Sequence, residues 1–253
     1  MDLQLKGMNA LVVGGTRGIG RGIVQALAEE GTNVAVTYRS RREETEAFLA
    51  ELEATCGVRT FAVEYDVANT ERVSSMFDEV EAALGPIDIL VNNANGGVIA
   101  KPVSQTTPEE WRLGINGTMN YMFDTCSRFI KACEEAGRGG HIVNLSSKAV
   151  IQQNSPNKAS YAAGKSAVIG LTRSIAKEVT GKGIYANAIM PGYVASDINY
   201  VEGSEQRETY KKFLPMGDFA NPIDIGRLVC FLVSPINRVV IGTVTDATGG
   251  LLS

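Results

Sequence analysis

Residues 9–31 read "NALVVGGTRGIGRGIVQALAEEG": a short apolar run, a glycine-rich turn and a helical pattern, in that order. Ala10 to Val13 suit a buried strand, and the helical run opens near Arg17. Between them Gly14, Gly18 and Gly20 stand in a G-x-x-x-G-x-G spacing. Glycine lets a backbone turn tightly and approach a pyrophosphate, whose charge is favoured by the free N–H groups and dipole at a helix N-terminus. The spacing is not the G-x-G-x-x-G of the better-known dinucleotide fingerprint, and glycines also gather at ordinary helix starts. Placement directly after an apolar strand favours the phosphate turn.

The same alternation runs through the chain. "NVAVTY", "TFAVEYDV", "IDILVNNA", "HIVNLSS", "IYANAIMPG" and "GTVTDATGG" bring the strand candidates to seven, with helical patterns between them. This order predicts an α/β fold, a parallel sheet with helices on both faces. In one intervening segment Val73, Met76, Phe77, Val80 and Leu84 form a single helical stripe stopped by Gly85-Pro86. Thr107, Pro108 and Glu110 spell a capping box that opens another helix. Lacking repeats, low-complexity tracts and linkers, the chain reads as one domain over residues 1–253.

Composition narrows the function classes. A net charge of −4 gives no general attraction to nucleic acid or anionic membrane, which points to a small-molecule partner. Four scattered cysteines (Cys56, Cys126, Cys133, Cys230) and the single His141 offer no metal-ligand spacing and fit reduced thiols and a cytoplasmic location. The N-terminal stretch has no signal-like apolar region, and no window approaches a membrane span. His141, opening a strand, reads as structural.

Two regions suggest chemistry. In "VAVTYRSRRE" the second strand ends in Tyr38-Arg39, where an NAD-preferring protein carries an acid for the ribose 2′-hydroxyl. Arg39 and Arg17 would instead clamp a 2′-phosphate, favouring NADP(H). Arg41 and Arg42 read as a solvated helix start paired with Glu43 and Glu44. Farther on, Ser147 ends the fifth strand, and "SYAAGKSA" puts Tyr161 and Lys165 one helical turn apart. Tyr-x-x-x-Lys also arises by chance in Lys-containing helices. Convergence with Ser147 at the carboxyl end of a parallel strand favours catalysis: a hydroxyl to hold a carbonyl, a phenol to exchange a proton, and an ammonium to make that phenol more acidic.

Taken together, "GGTRGIG", Asp66-Val67, "NNAN" at 92–95, Asn116, Ser147, "YAAGK" and "PGYVAS" resemble the short-chain dehydrogenase/reductase family over essentially the whole chain. The resemblance implies a Rossmann-type, doubly wound seven-stranded sheet and an NADP-dependent oxidoreductase. It makes Tyr161 the general acid, Ser147 the carbonyl anchor, Lys165 the ribose ligand that lowers the Tyr161 pKa, and Asn116 the holder of a relay water. Gly14, Thr16, Arg17, Gly18, Ile19 and Gly20 would form the phosphate turn. Asp66 and Val67 would meet the adenine, Asn93 the adenosine ribose, and Val194 and Ser196 the carboxamide. It further implies a homodimer or homotetramer and a substrate lid around residues 196–216.

Departures from the family pattern are Val13, Asn95 for a usual glycine, and Asp218 and Asn221 where Arg and Glu are frequent. Asn95 would preserve its turn through the tolerance of asparagine for positive φ. The substrate expected is a 3-oxoacyl thioester. Arg138 and Lys182 lie near positions where relatives acting on acyl-carrier-protein substrates carry basic residues. A polar cyclic ketone or polyol is the alternative, suggested by Gln152, Gln153, Asn154 and Asn157. A non-catalytic NADP-binding regulator is the alternative of another class.

Overall fold

The computed structural model describes residues 1–151, 156–195 and 202–251. Gln152, Gln153, Asn154, Ser196 and the first part of the expected lid, 196–201, lie outside the described residues.

In chain order the elements are β1 (Asn9–Val13), α1 (Gly18–Glu29), β2 (Asn33–Tyr38), α2 (Arg42–Cys56), β3 (Thr60–Glu64), α3 (Val73–Leu84), β4 (Ile89–Asn92), α4 (Pro108–Ile115) and α5 (Tyr121–Glu135). There follow β5 (Gly140–Leu145), α6 (Ala159–Val179), β6 (Ile184–Pro191), α7 (Glu205–Lys211), α8 (Pro222–Leu232) and β7 (Val244–Ala247). All seven expected strands form. Among the described residues they make one parallel sheet in the order β3-β2-β1-β4-β5-β6-β7. The chain winds outward from β1 to β3, then returns to lay β4 on the other side of β1. That reversal opens a crevice at the carboxyl ends of β1 and β4.

Both faces of the central strands are covered, so they are continuous apolar runs rather than alternating ones. One core holds Ile23, Val24 and Leu27 of α1, Phe48 and Leu49 of α2, and Ile225 and Val229 of α8. The opposite core takes Met76 and Phe77 of α3, Met122 and Phe129 of α5, and Val168 of α6. The five residues of the expected stripe are the buried residues of α3. Thr107 and Glu110 close the expected capping box on α4.

A buried polar chain ties the two layers beneath the crevice. The Thr125 hydroxyl donates to Asn92 Oδ1 at 2.8 Å, Asn92 Nδ2 to Asn144 Oδ1 at 2.9 Å, and Asn144 Nδ2 to Thr172 Oγ1 at 3.0 Å. It runs from α5 through β4 and β5 to α6, so α6, which carries Tyr161 and Lys165, is fixed in register on the sheet.

His141 sits inside β5, buried edge-on to Tyr185, and its Nδ1 has no partner among the described residues. Burial pushes its pKa from 6.5 down to about 4. Between those values the unfolded chain binds a proton that the folded chain refuses. Stability therefore falls as pH drops through this window, by roughly 3 kcal/mol at its acid end. Urea denaturation at pH 7 and pH 5 should show about 2 kcal/mol of that loss in the native sequence and a flatter slope in His141→Gln. Equal slopes would mean that other groups control acid stability.

Candidate active site

The crevice is a cleft of about 580 Å3 lined by Gly14, Thr16, Arg17, Gly18, Ile19, Arg39, Asp66, Val67, Asn93 and Val194, among others. Residues expected to hold the cofactor thus converge from β1, β2, β3 and β4 and from the segment after β6. Gly14 turns at φ +81°, and its carbonyl accepts from Asn93 Nδ2 at 2.7 Å, joining the two sides of the switch point. A Cβ on Gly20 would stand 1.9 Å from that carbonyl, so the helix can begin this close to the strand only with glycine there. Its Cβ-free approach leaves the N-terminus of α1 open to the cleft.

Charge in the cleft is asymmetric. Arg17 and Arg39 are exposed and have no ion-pair partner among the described residues. The other two arginines of the stretch are engaged: Arg41 lies 3.1 Å from Glu44, and Arg42 lies 2.7 Å from Glu46 rather than reaching Glu43. Two unneutralised guanidinium groups beside a glycine turn fit a dinucleotide with an additional phosphate on its adenosine ribose.

At the chemical end, adjacent serines part company. Ser146 is buried, and its hydroxyl donates to the Lys165 carbonyl at 2.8 Å, pinning α6 to the end of β5. Ser147 is only partly buried; its Oγ accepts from Ala149 N–H at 3.2 Å and caps the turn Lys148–Val150. The Ser147 hydroxyl also bears on Tyr161, easing its ionisation. Of the two, Ser147 is the serine whose hydroxyl meets the phenol, while that of Ser146 is engaged by the backbone.

The expected effect of Lys165 on the phenol is not what this structure contains. Burial raises the Tyr161 pKa above its ordinary value and outweighs the Ser147 hydrogen bond. The Lys165 ammonium is buried, donates to the Leu145 carbonyl at 2.6 Å, and is itself pushed down to about 8 by burial. Its charge is spent on a backbone acceptor, while desolvation acts on both groups.

Asn116 opens a π-helical turn, Asn116–Asn120, between α4 and α5, and accepts from Asn120 Nδ2 at 2.6 Å. Such a wide turn in a helix re-aims its side chains and is frequent at functional sites. Gly117 in the same turn packs on Gly96, whose N–H donates to its carbonyl at 2.7 Å. Asn95 is not in the positive-φ region, so its replacement of glycine needs no special tolerance; its Oδ1 accepts from Gly97 N–H at 3.2 Å.

Sequence reasoning missed Tyr121 and Lys148. Tyr121 is fully buried and donates to the Ala94 carbonyl at 2.6 Å, holding down the loop after β4. Lys148 places Nζ 3.8 Å from the centroid of the Tyr193 ring, one residue after Ser147. A tyrosine within an apolar helical stripe was the available signal for the first; the second depends on a segment 45 residues away.

Arg138 and Lys182 do not lie near this site. They precede β5 and β6 and so stand at the amino ends of the strands, whereas Ser147 follows the carboxyl end of β5, about 20 Å along the strand. Arg138 is 3.7 Å from Asp88, and Lys182 is 2.6 Å from Glu134. The acidic partners Asp88 and Glu134 offset part of the positive charge that these two residues would present to an acidic carrier.

A chain that sets a glycine turn, unpaired arginines and a hydroxyl–phenol–ammonium group around one parallel-sheet crevice is built as a dinucleotide-dependent oxidoreductase. Residues 13–252 match the family described as enoyl-(acyl carrier protein) reductase. The chain is 37% identical to the 3-oxoacyl-[acyl-carrier-protein] reductase FabG of Staphylococcus aureus (strain Mu50 / ATCC 700699), covering 96% of this chain and 97% of that one. It is similar to a dehydrogenase/reductase from Sinorhizobium meliloti 1021, with a TM-score of 0.91 and 30% identity over 100% of this chain and 98% of that chain. A short chain dehydrogenase from Burkholderia cenocepacia J2315, solved in complex with NADP, matches with a TM-score of 0.89 and 30% identity over 99% and 100% of the two chains. The chain belongs to the short-chain dehydrogenase/reductase family and is an NADP-dependent oxidoreductase.

Proposed function

We propose that this protein reduces the ketone of a 3-oxoacyl thioester to a secondary alcohol. The observation that carries the reading is the placement of Ser147 just past the carboxyl end of β5, with Tyr161 and the buried Lys165 one turn apart on α6. A neutral phenol is the form needed to donate a proton to a reduced carbonyl oxygen at neutral pH. Bound in the cleft, NADPH supplies the hydride for the carbonyl carbon.

The protein's own groups supply orientation and the proton. Ser147 donates to the ketone oxygen, and Tyr161 Oη passes its proton to that oxygen as negative charge develops there. Lys165 would exchange its bond with Leu145 for ribose hydroxyls, and Asn116 would hold the water that reprotonates the phenol. Gly14, Thr16, Gly18, Ile19 and Gly20 would cradle the pyrophosphate, Arg17 and Arg39 the 2′-phosphate, and Asp66, Val67 and Asn93 the adenosine half. Val194, joined by Ser196, would meet the carboxamide. In the regulator reading the Ser147–Tyr161–Lys165 grouping has no use.

The substrate class is supported by relatives at 37% and 32% identity that carry the name 3-oxoacyl-[acyl-carrier-protein] reductase. With NADPH, acetoacetyl thioesters should be reduced with kcat/KM at least about tenfold above hydroxylated cyclic ketones, a difference of roughly 1.4 kcal/mol in transition-state binding. Preference for the cyclic ketone would replace the substrate, and no NADPH consumption with any ketone would end the reductase reading. We place the enzyme in the cytoplasm as a homodimer or homotetramer. The first is supported by four free thiols, and the second by the exposed Trp111, Leu113 and Phe123 on neighbouring turns of α4 and α5. Among the described residues no helix is long and apolar enough to cross a membrane.

A further inference from the structure

We propose that Asp218 is a positioning residue for the reaction: its carboxylate holds α7 and thereby sets the aromatic wall beside the ketone site. The proposal rests on the ketoreductase reading above. Asp218 stands where the family resemblance leads one to expect arginine. Its carboxylate lies 3.1 Å from Arg207 Nη2 and 3.3 Å from Lys211 Nζ, both on α7. It also accepts from Phe219 N–H at 2.7 Å, which fixes it in place between the two cations.

From α7 the contacts lead to the site. The Tyr210 ring lies 5.1 Å from that of Tyr193, and Tyr193 meets Phe219 edge-on at 5.7 Å. Arg207 covers Phe219 at 5.3 Å, and Lys148, beside Ser147, covers Tyr193 at 3.8 Å. The backbone does the same: Ala220 N–H donates to the Tyr193 carbonyl at 3.1 Å, and Ala195 N–H to that of Ala220 at 2.9 Å. Val194, within that pairing, lines the cofactor cleft.

A helix of seven residues does not hold itself by its own hydrogen bonds and needs an external anchor. An arginine at 218 would put a third cation against Arg207 and Lys211. Asp218 instead sets a carboxylate against both; its own side chain is half-exposed, but that of Arg207, 11% exposed, is shielded enough for its charge to matter.

Asp218→Asn keeps an acceptor for Phe219 N–H but loses the charge, and should raise the ketone KM about five- to tenfold, with kcat within twofold and NADPH affinity unchanged. Asp218→Arg should act more strongly, and the double variant Arg207→Glu/Asp218→Arg should recover most of the loss. Added salt should raise KM in the wild type and leave it flat in Asp218→Asn, a response that mere packing would not give. Hydrogen exchange of residues 205–211 in the NADPH complex provides a readout independent of turnover: both single variants should exchange faster there, and the double variant more slowly than Asp218→Arg. Unchanged exchange in Asp218→Arg overturns the proposal, as does faster exchange with unchanged KM or a matching loss of NADPH affinity. Should the wild type reduce no ketone, the reductase reading falls and with it the positioning role, while the exchange data alone decide whether Asp218 anchors α7.

Discussion

Replacing Tyr161 with Phe should lower kcat for ketone reduction by at least about 100-fold, roughly 2.7 kcal/mol in the barrier, while NADPH binds nearly as before. The ring that fills the site stays; only the transferable proton goes. Because burial raises the phenol above its usual value, Tyr161 remains protonated through neutral pH. The rate of the native enzyme should therefore not fall through loss of the Tyr161 proton between pH 6 and 8, and the deficit of the variant should be constant across that range. Fluorescence titration with NADPH separates binding from chemistry. Turnover within a fewfold of wild type would remove Tyr161 from its role, and a parallel loss of NADPH affinity would show that the hydroxyl serves the cofactor rather than the ketone.

Arg39→Asp should shift the ratio of kcat/KM for NADPH over NADH by about 100-fold or more toward NADH. One charge-assisted hydrogen bond to a phosphate is worth roughly 1.5–3 kcal/mol, and a carboxylate in its place adds repulsion while offering a partner to a free 2′-hydroxyl. Arg42→Asp is the control, since Arg42 is turned to Glu46 on the outside of α2 and its loss should leave the ratio unchanged. A native enzyme that prefers NADH, or an equal effect of both substitutions, would mean that Arg39 does not read the 2′-phosphate.

Much of this molecule is legible locally. The α3 stripe, the Thr107–Glu110 box and the strand–glycine–helix head depend on residues within about ten positions of one another, where spacing fixes geometry. The seven strands follow from the same rule applied repeatedly. One reading failed for an identifiable reason. Expecting Lys165 to acidify Tyr161 considered the charge of a neighbour but not desolvation, which depends on every atom packed around the phenol. The end of the sheet at which Arg138 and Lys182 stand follows only from topology, because residues entering a strand of a parallel sheet lie at the opposite end from residues leaving one.

By itself, then, the sequence determined the order of strands and helices, the strand–glycine–helix head, and the arginines, hydroxyl, phenol and ammonium on which the proposed cofactor and catalytic roles rest. These are encoded in short-range periodicity and in side chains whose chemistry is specific. Tertiary structure alone decided which of two neighbouring serines faces the phenol, how burial tunes Tyr161 and Lys165, and why Gly22 must be glycine. A Cβ on Gly22 would lie 2.2 Å from the Pro222 carbonyl carbon, 200 residues away, where α8 crosses α1. Asp218 belongs with these: only the folded chain sets its carboxylate against Arg207 and Lys211 of α7. Contacts between distant segments and the loss of water around a group are properties of the assembled core, and no local pattern carries them.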